Sequence, residues 1–274
     1  MYRKVWEHCK PSVCSIDFIS NAGTKIISFT GFKVKNFLIT DDIVDKFAKP
    51  AEILIRFAES EDWAGCIRMS FKEFLNAKIK IEKKINPGFV LFDIKEESFK
   101  SIPSLNCSKR INHSVGHPIA VLGYQLDQDN LAIKSGIISS YFTQSDGLNT
   151  IQVDCSIQQG NAGSPLICAE TMEVIGVIGH RLASIARGYQ KMMRIINTNL
   201  KVLQEAEGKI NMEDIDPIQV LIANQNQIKH MVSELFKTTN MRVGFAAELC
   251  NMTDYCPDPE EDLGSIETEI NVDN

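Results

Sequence analysis

The sequence predicts an all-β domain, a barrel or sandwich, followed by helices toward the C-terminal end. Three observations lead there. Residues 11–190 break into many short runs rich in β-branched and aromatic residues, separated by polar turns. No long helical pattern interrupts those runs, which argues against alternating β and α units. After Tyr189 the apolar period changes from two to three and four.

The predicted strands follow in chain order. They are Val13–Ile19, Lys25–Phe29, Phe32–Val34, Phe37–Thr40, Ile53–Phe57, Phe89–Ile94, Pro118–Leu122, Gly136–Ser140, Thr150–Asp154, Pro165–Cys168 and Val174–Gly179. A helix is predicted over Met193–Glu207. Asp216 and Pro217 then read as an N-cap and first-turn proline. Ile218, Leu221, Ile222, Ile228, Met231, Val232, Leu235 and Phe236 follow as one apolar stripe on a helix, with polar residues opposite. The stripe either packs on its own domain or forms a partner interface.

Composition narrows the function classes. The chain has 274 residues, 44% of them hydrophobic and 23% charged, which is ordinary for a globular protein. The net charge of -6 is uneven: Asp254–Asn274 holds eight acidic residues and no Lys or Arg. Disorder is expected for this acidic tail. Neither part has the dense basic stripe of a direct nucleic-acid binder. No 18-residue apolar run exists, so no membrane association is expected. Met1–Pro11 lacks an apolar core of the secretory type, which predicts a cytoplasmic setting. The eight cysteines (9, 14, 66, 107, 155, 168, 250 and 256) show no metal-ligand spacing. They read as reduced thiols, and no metal or cofactor is expected.

The segment Ile151–Gly179, IQVDCSIQQGNAGSPLICAETMEVIGVIG, carries the chemistry. Gly160, Asn161, Ala162, Gly163, Ser164 and Pro165 form a glycine-bearing turn between two strands. Such a turn aims successive backbone N–H groups into one concavity that suits an anion. In acyl-transfer enzymes that concavity is the oxyanion hole, with the nucleophile at the turn's centre.

This loop and both flanks resemble the active-site loop of trypsin-like serine proteases, in particular the HtrA/Deg branch, where it reads Gly-Asn-Ser-Gly-Gly-Pro or Gly-Asn-Ser-Gly-Ser-Pro. Cys9–Ile16, Gly116–Tyr124 and Ser135–Ser139 resemble further stretches of that family, so the likeness covers about residues 8–200. It implies two six-stranded antiparallel barrels, a trypsin-like double barrel with a helical C-terminal extension. The expected division is a protease-like domain over 1–205, with barrels at about 11–100 and 101–190. A helical extension over 206–240 and an acidic tail over 241–274 follow.

In the same register the family's three catalytic positions fall on Ile43, Gly88 and Ala162. A methyl group cannot attack a carbonyl, and isoleucine cannot act as a general base. Gly160 and Ala162 would still supply oxyanion N–H groups. The resemblance therefore implies a catalytically inactive pseudoprotease, a protein-binding regulatory subunit using its vestigial cleft or the C-terminal helix. Prokaryotic stress-response and CRISPR-associated assemblies are settings where such subunits occur. The alternative is an active serine endopeptidase captured as a Ser-to-Ala variant at Ala162. Among the five histidines, His180 follows the strand after the loop and is the candidate for a ligand pocket. A Cys155–His dyad is conceivable, but burial of Cys155 is the plainer reading.

Overall fold

The computed structural model describes residues 1–44, 50–58, 66–81, 86–109, 113–125, 128–158, 160–179, 184–209, 216–239 and 243–249. A helix that the strand pattern did not flag, α1 (Tyr2–Cys9), begins the chain and buries Val5 and Cys9. The first strand, β1 (Val13–Ile19), is buried along nearly its whole length. It is enclosed because it lies between β2 (Lys25–Val34) and β4 (Glu52–Phe57). Beyond them, β3 (Phe37–Asp41) pairs with β2 and β5 (Cys66–Ser70) pairs with β4. On the other flank β6 (Phe89–Asp93) pairs with β3, giving the order β5-β4-β1-β2-β3-β6.

This first sheet corrects the expected double barrel, because it forms a half-barrel and not a closed one. The reason lies between β5 and β6. There, α2 (Phe71–Asn76) starts on a reciprocal cap between Ser70 and Glu73. The chain then runs along β6: Ile79 N–H donates to Leu91 O at 2.9 Å and Asp93 N–H to Ala77 O at 2.8 Å. The β6 edge that β5 would need is thus occupied.

A short helix, α3 (Glu97–Ser101), leads toward the second sheet. Its C-terminal carbonyls are held from below by Lys33, a buried cation of β2. The Lys33 Nζ donates to Phe99 O at 2.7 Å and Ile102 O at 2.8 Å. Burial pushes the Lys33 ammonium below its ordinary pKa.

The second sheet is a closed barrel of β7 (Pro118–Gln125), β8 (Gln128–Thr143), β9 (Asn149–Asp154), β10 (Pro165–Cys168), β11 (Val174–Ile178) and a sixth strand. That strand, β12 (Val243–Glu248), overturns the expected boundaries. The barrel does not end near 190, and residues 243–248 are not part of a disordered tail. Instead α4 (Ser184–Ala206) and α5 (Pro217–Thr239) form an excursion between β11 and β12, not a C-terminal extension. The barrel needs β12 because it pairs with both neighbours, Ala246 opposite Ile151 of β9 and Gly176 of β11 opposite Glu248. Its small residues fit that place. A Cβ at Gly244 would overlap the Ile157 side chain.

The turn into α5 is built as its sequence predicts. Asp216 Oδ1 accepts from Ile218 N–H at 2.8 Å, and its other oxygen accepts from Gly208 N–H at 2.8 Å. One carboxylate therefore caps α5 and ties down the end of α4. No described helix is long and apolar enough to cross a membrane.

Three cores hold the domain. One fills the first sheet around Phe18, Phe74 and Phe92, and one fills the barrel around Val121, Val153 and Leu166. The third lies between them and joins Phe32 and Leu91 to Leu122, Val177 and Ala247, with Val5 and Cys9 of α1 packed in. A polar bridge crosses the same seam. Arg56 of β4 donates to the buried Asp17 at 2.9 Å and to Asp129 of β8 at 3.0 Å, and Lys25 reaches Asp129 at 2.8 Å.

Candidate functional site

The glycine-bearing turn at 160–164 sits on the seam between the sheets, and backbone hydrogen bonds fix it from both sides. Gly160 and Gly163 have φ of 97° and 87°, a left-handed backbone that glycine adopts without strain. Gly163 N–H donates to Ile178 O at 2.7 Å, and Ile178 N–H donates to Ser164 O at 2.8 Å. From the first sheet, Thr30 N–H donates to Ala162 O at 3.0 Å and Thr30 Oγ1 donates to Gly160 O at 2.8 Å. The same hydroxyl accepts from Tyr124 N–H of β7 at 2.9 Å, and Thr40 Oγ1 donates to Thr30 O at 2.7 Å. A Cβ at Gly163 would run into the Thr30 carbonyl and the Thr40 hydroxyl, so this turn admits no side chain there.

Asn161 is fully buried and is the turn's internal strut. Its Nδ2 donates to Tyr124 O at 2.7 Å, while its Oδ1 accepts from Gln158 N–H at 3.0 Å and Lys134 Nζ at 2.7 Å. Desolvation lowers the Lys134 pKa. Among the described residues, the Gly160 and Ala162 N–H groups meet no acceptor. Those two donors are what an oxyanion would engage.

The three positions singled out in the sequence come to this seam from different elements. Ile43 follows β3; its N–H donates to Asp41 Oδ1 at 2.8 Å, and its side chain packs against the first-sheet core. Ala162 borders the same core. Gly88 precedes β6 with φ of 80°, and a Cβ there would lie 3.0 Å from both Leu148 and Ala247. Its N–H is held by Asn86 Oδ1 at 3.0 Å, and Asn86 Nδ2 donates to the buried Asp42 at 2.8 Å. The slot where Gly88 faces Asp41, Leu148, Gly179 and Phe245 is thus lined by packed side chains.

The other hydroxyls and thiols of the neighbourhood are inaccessible. Ser164 is fully buried, and a Cβ placed on Gly123 would overlap its hydroxyl. Cys155 is 3% exposed, and burial pushes its thiol up to about 11, so it stays protonated at neutral pH. His180 lies outside the described residues. Sequence reasoning missed Thr30, Thr40, Tyr124 and Lys134; their contributions arrive from strands remote in sequence, and no local motif marks them.

The apolar stripe of α5 is divided in its surroundings. Ile218 is buried, which removes it from any docking surface, and Ile222 and Val232 are half-buried. Leu221, Ile228, Met231 and Leu235 are exposed, at 48%, 43%, 63% and 58%. The Phe236 side chain lies outside the described residues. On α4, Met192, Ile195 and Val202 are exposed as well.

Residues 74–177 match the trypsin-like peptidase domain. Solved structures similar to this chain include the Rv3671c protease from M. tuberculosis in its active form, at 16% identity over 65% of this chain and 74% of that one, TM-score 0.49. A serine endoprotease from Yersinia pestis is 17% identical over 66% of this chain and 58% of its own, TM-score 0.49. An HtrA-type protease, AlgW, with a tripeptide, is 16% identical over 65% and 54%, TM-score 0.49. This chain thus spans little more than half of the last two. No curated protein matches it.

Proposed function

We propose that this chain is a trypsin-like domain that does not cleave peptides and acts by binding a protein partner, as a regulatory subunit of a larger assembly. The observation that carries the reading is what occupies the catalytic positions. Ile43 is half-buried against an apolar core, Ala162 bears only a methyl group, and Gly88 combines a left-handed backbone with Leu148 and Ala247 at contact distance. Hydrolysis by this fold needs a nucleophile, a base to take its proton and a carboxylate to orient the base. None of the three side chains can fill such a role. The packing at 43 and 88 supports loss of the whole unit, beyond a single exchange at 162.

The binding half of the proposal rests on the exposed apolar residues of α4 and α5. Helices that serve only to bury a stripe leave it covered; here Leu221, Met231 and Leu235 face solvent on one side and Met192 and Val202 on the other helix do the same. The partner setting implied by the family resemblance, a prokaryotic stress-response or CRISPR-associated assembly, belongs to this proposal.

Two experiments test it. The first is Ala162→Ser followed by a peptidase assay and labelling with a fluorophosphonate. No activity and no stoichiometric label are expected, because Ile43 cannot activate a serine. Activity would favour the second reading, an endopeptidase whose nucleophile has been exchanged, for which the intact 160–164 turn is the supporting feature. The second is the triple substitution Leu221→Glu, Met231→Glu and Leu235→Glu, compared with the unaltered chain in affinity capture from native lysate. Loss of a stable partner, with unfolding unchanged, is expected. Truncation near Gly208 is no substitute, because it would also remove β12 and open the barrel.

A further inference from the structure

At the opposite end of β10 from the 160–164 turn, two imidazoles and a thiol converge. The donor atoms of His113, His117 and Cys168 all lie within 4.8 Å of one another. His117 Nε2 is 3.2 Å from Cys168 Sγ and 3.6 Å from a carboxylate oxygen of Glu170. The His113 and His117 rings stand 5.4 Å apart, and Ser108 Oγ lies 3.3 Å from His113 Nε2.

The backbone holds these groups in place without them. Gly116 N–H donates to Ile138 O at 2.7 Å and Ile138 N–H to His117 O at 3.0 Å, which pins the 113–117 turn to β8. Cys168 pairs with Ile119 of β7, and Ala169 N–H donates to Pro118 O at 3.1 Å. The turn and the end of β10 are therefore two fixed arms of one pincer. Cys168 is fully buried and His113 nearly so, while His117 and Glu170 reach toward solvent. That gradient leaves one open side.

We propose that His113, His117 and Cys168 bind a divalent transition-metal ion, zinc(II) foremost, with its fourth coordination position on the Glu170 side. The donor chemistry selects the metal. Two imidazole nitrogens and a thiolate suit zinc and exclude calcium and magnesium, which take oxygen. Tetrahedral zinc with bonds of about 2.0–2.3 Å separates its ligand atoms by roughly 3.3–3.8 Å. The His117–Cys168 pair already stands at 3.2 Å. The remaining separations are at most 4.8 Å, about 1 Å beyond that range. Ser108, 3.3 Å from His113 Nε2, occupies the place of the outer hydrogen-bond partner that a metal-bound histidine ordinarily has. The ion would clamp the segment joining the two sheets onto β10, the strand that leads directly out of the 160–164 turn.

The test uses the full chain, purified without chelator and titrated with zinc chloride alone by competition against a chromogenic chelator. The expected result is one zinc per chain. His117→Ala and Cys168→Ser should each weaken binding by more than the roughly 100-fold that losing an outer partner costs. Cys155→Ser, a buried thiol elsewhere, should leave it unchanged. Cobalt(II) titration of the unaltered chain should give a thiolate-to-metal charge-transfer band, and this reading survives even if Cys168→Ser fails to fold. No binding at micromolar zinc, equal binding by His117→Ala, or a cobalt complex without the thiolate band would each overturn the proposal.

Discussion

The 160–164 turn and the pair of positions 43 and 88 lie near one another and offer different things. At the turn, two positive-φ glycines and a buried asparagine strut set the backbone. At 43 and 88 stand an isoleucine half-buried against the first-sheet core and a glycine crowded by Leu148 and Ala247, neither of which can carry a proton. The difference has a physical cause. The turn's carbonyls and N–H groups bond to Thr30, Tyr124 and Ile178, so the turn also joins the two sheets. Altering it costs stability whether or not the chain cleaves anything. A base or a carboxylate at 43 or 88 contributes nothing to folding, and an apolar or absent side chain there packs better.

That contrast can be broken most severely at Gly163. Gly163→Ala places a methyl against the Thr30 carbonyl on a left-handed backbone, and a loss of about 4 kcal/mol is expected in urea unfolding. A change under about 1 kcal/mol would mean that the turn is not the joint described. Gly88→Asp comes next, at about 3 kcal/mol, because the new side chain meets Leu148 and Ala247. Adding Leu148→Ala should return part of that loss at position 88, and a failure to do so would show that backbone strain dominates.

Arg56→Met probes the seam away from the turn. It leaves the buried Asp17 with Ser28 alone and should cost about 2 kcal/mol. The bridge also sets a pH dependence. Hydrogen bonds from Lys25 first and Arg56 second hold the Asp129 carboxyl below its ordinary pKa. Its stabilising share is therefore full above the unfolded carboxylate value of about 4 and fades as pH falls through the lower folded value. Thermal unfolding followed from pH 6 downward should show a smaller acid loss in Arg56→Met than in the unaltered chain. The smallest effect is expected from Ala162→Ser, within about 0.5 kcal/mol of the unaltered stability, since position 162 is only half-buried.

Much of this molecule is written locally in its sequence. β1, β10 and the cap of α5 follow from runs of residues that decide their own conformation, and the predicted ranges match the observed ones closely. The 160–164 turn was legible for the same reason: five consecutive residues carry it. What was illegible depends on distant partners. β12 is short, with Val243 and Phe245 as its only strong strand formers, and only the open edges of β9 and β11, with two helices between, make it a strand. The first sheet stays open because residues 77–79 take the β6 edge, which no strand pattern announces. Thr30 serves the turn from 130 residues away, and His113 and His117 meet Cys168 only once β7 and β10 pair.

The central claim is that hydrolysis was lost as a unit and not at one atom. It is tested most directly by giving Ala162→Ser full-length protein a fluorophosphonate and reading attachment at position 162 by intact-mass and peptide mass spectrometry. The account predicts no stoichiometric attachment at neutral pH, because neither Ile43 nor Gly88 can raise the nucleophilicity of a serine placed there. Stoichiometric attachment at position 162, accompanied by peptide cleavage, would contradict it and show that a working base stands beside the turn.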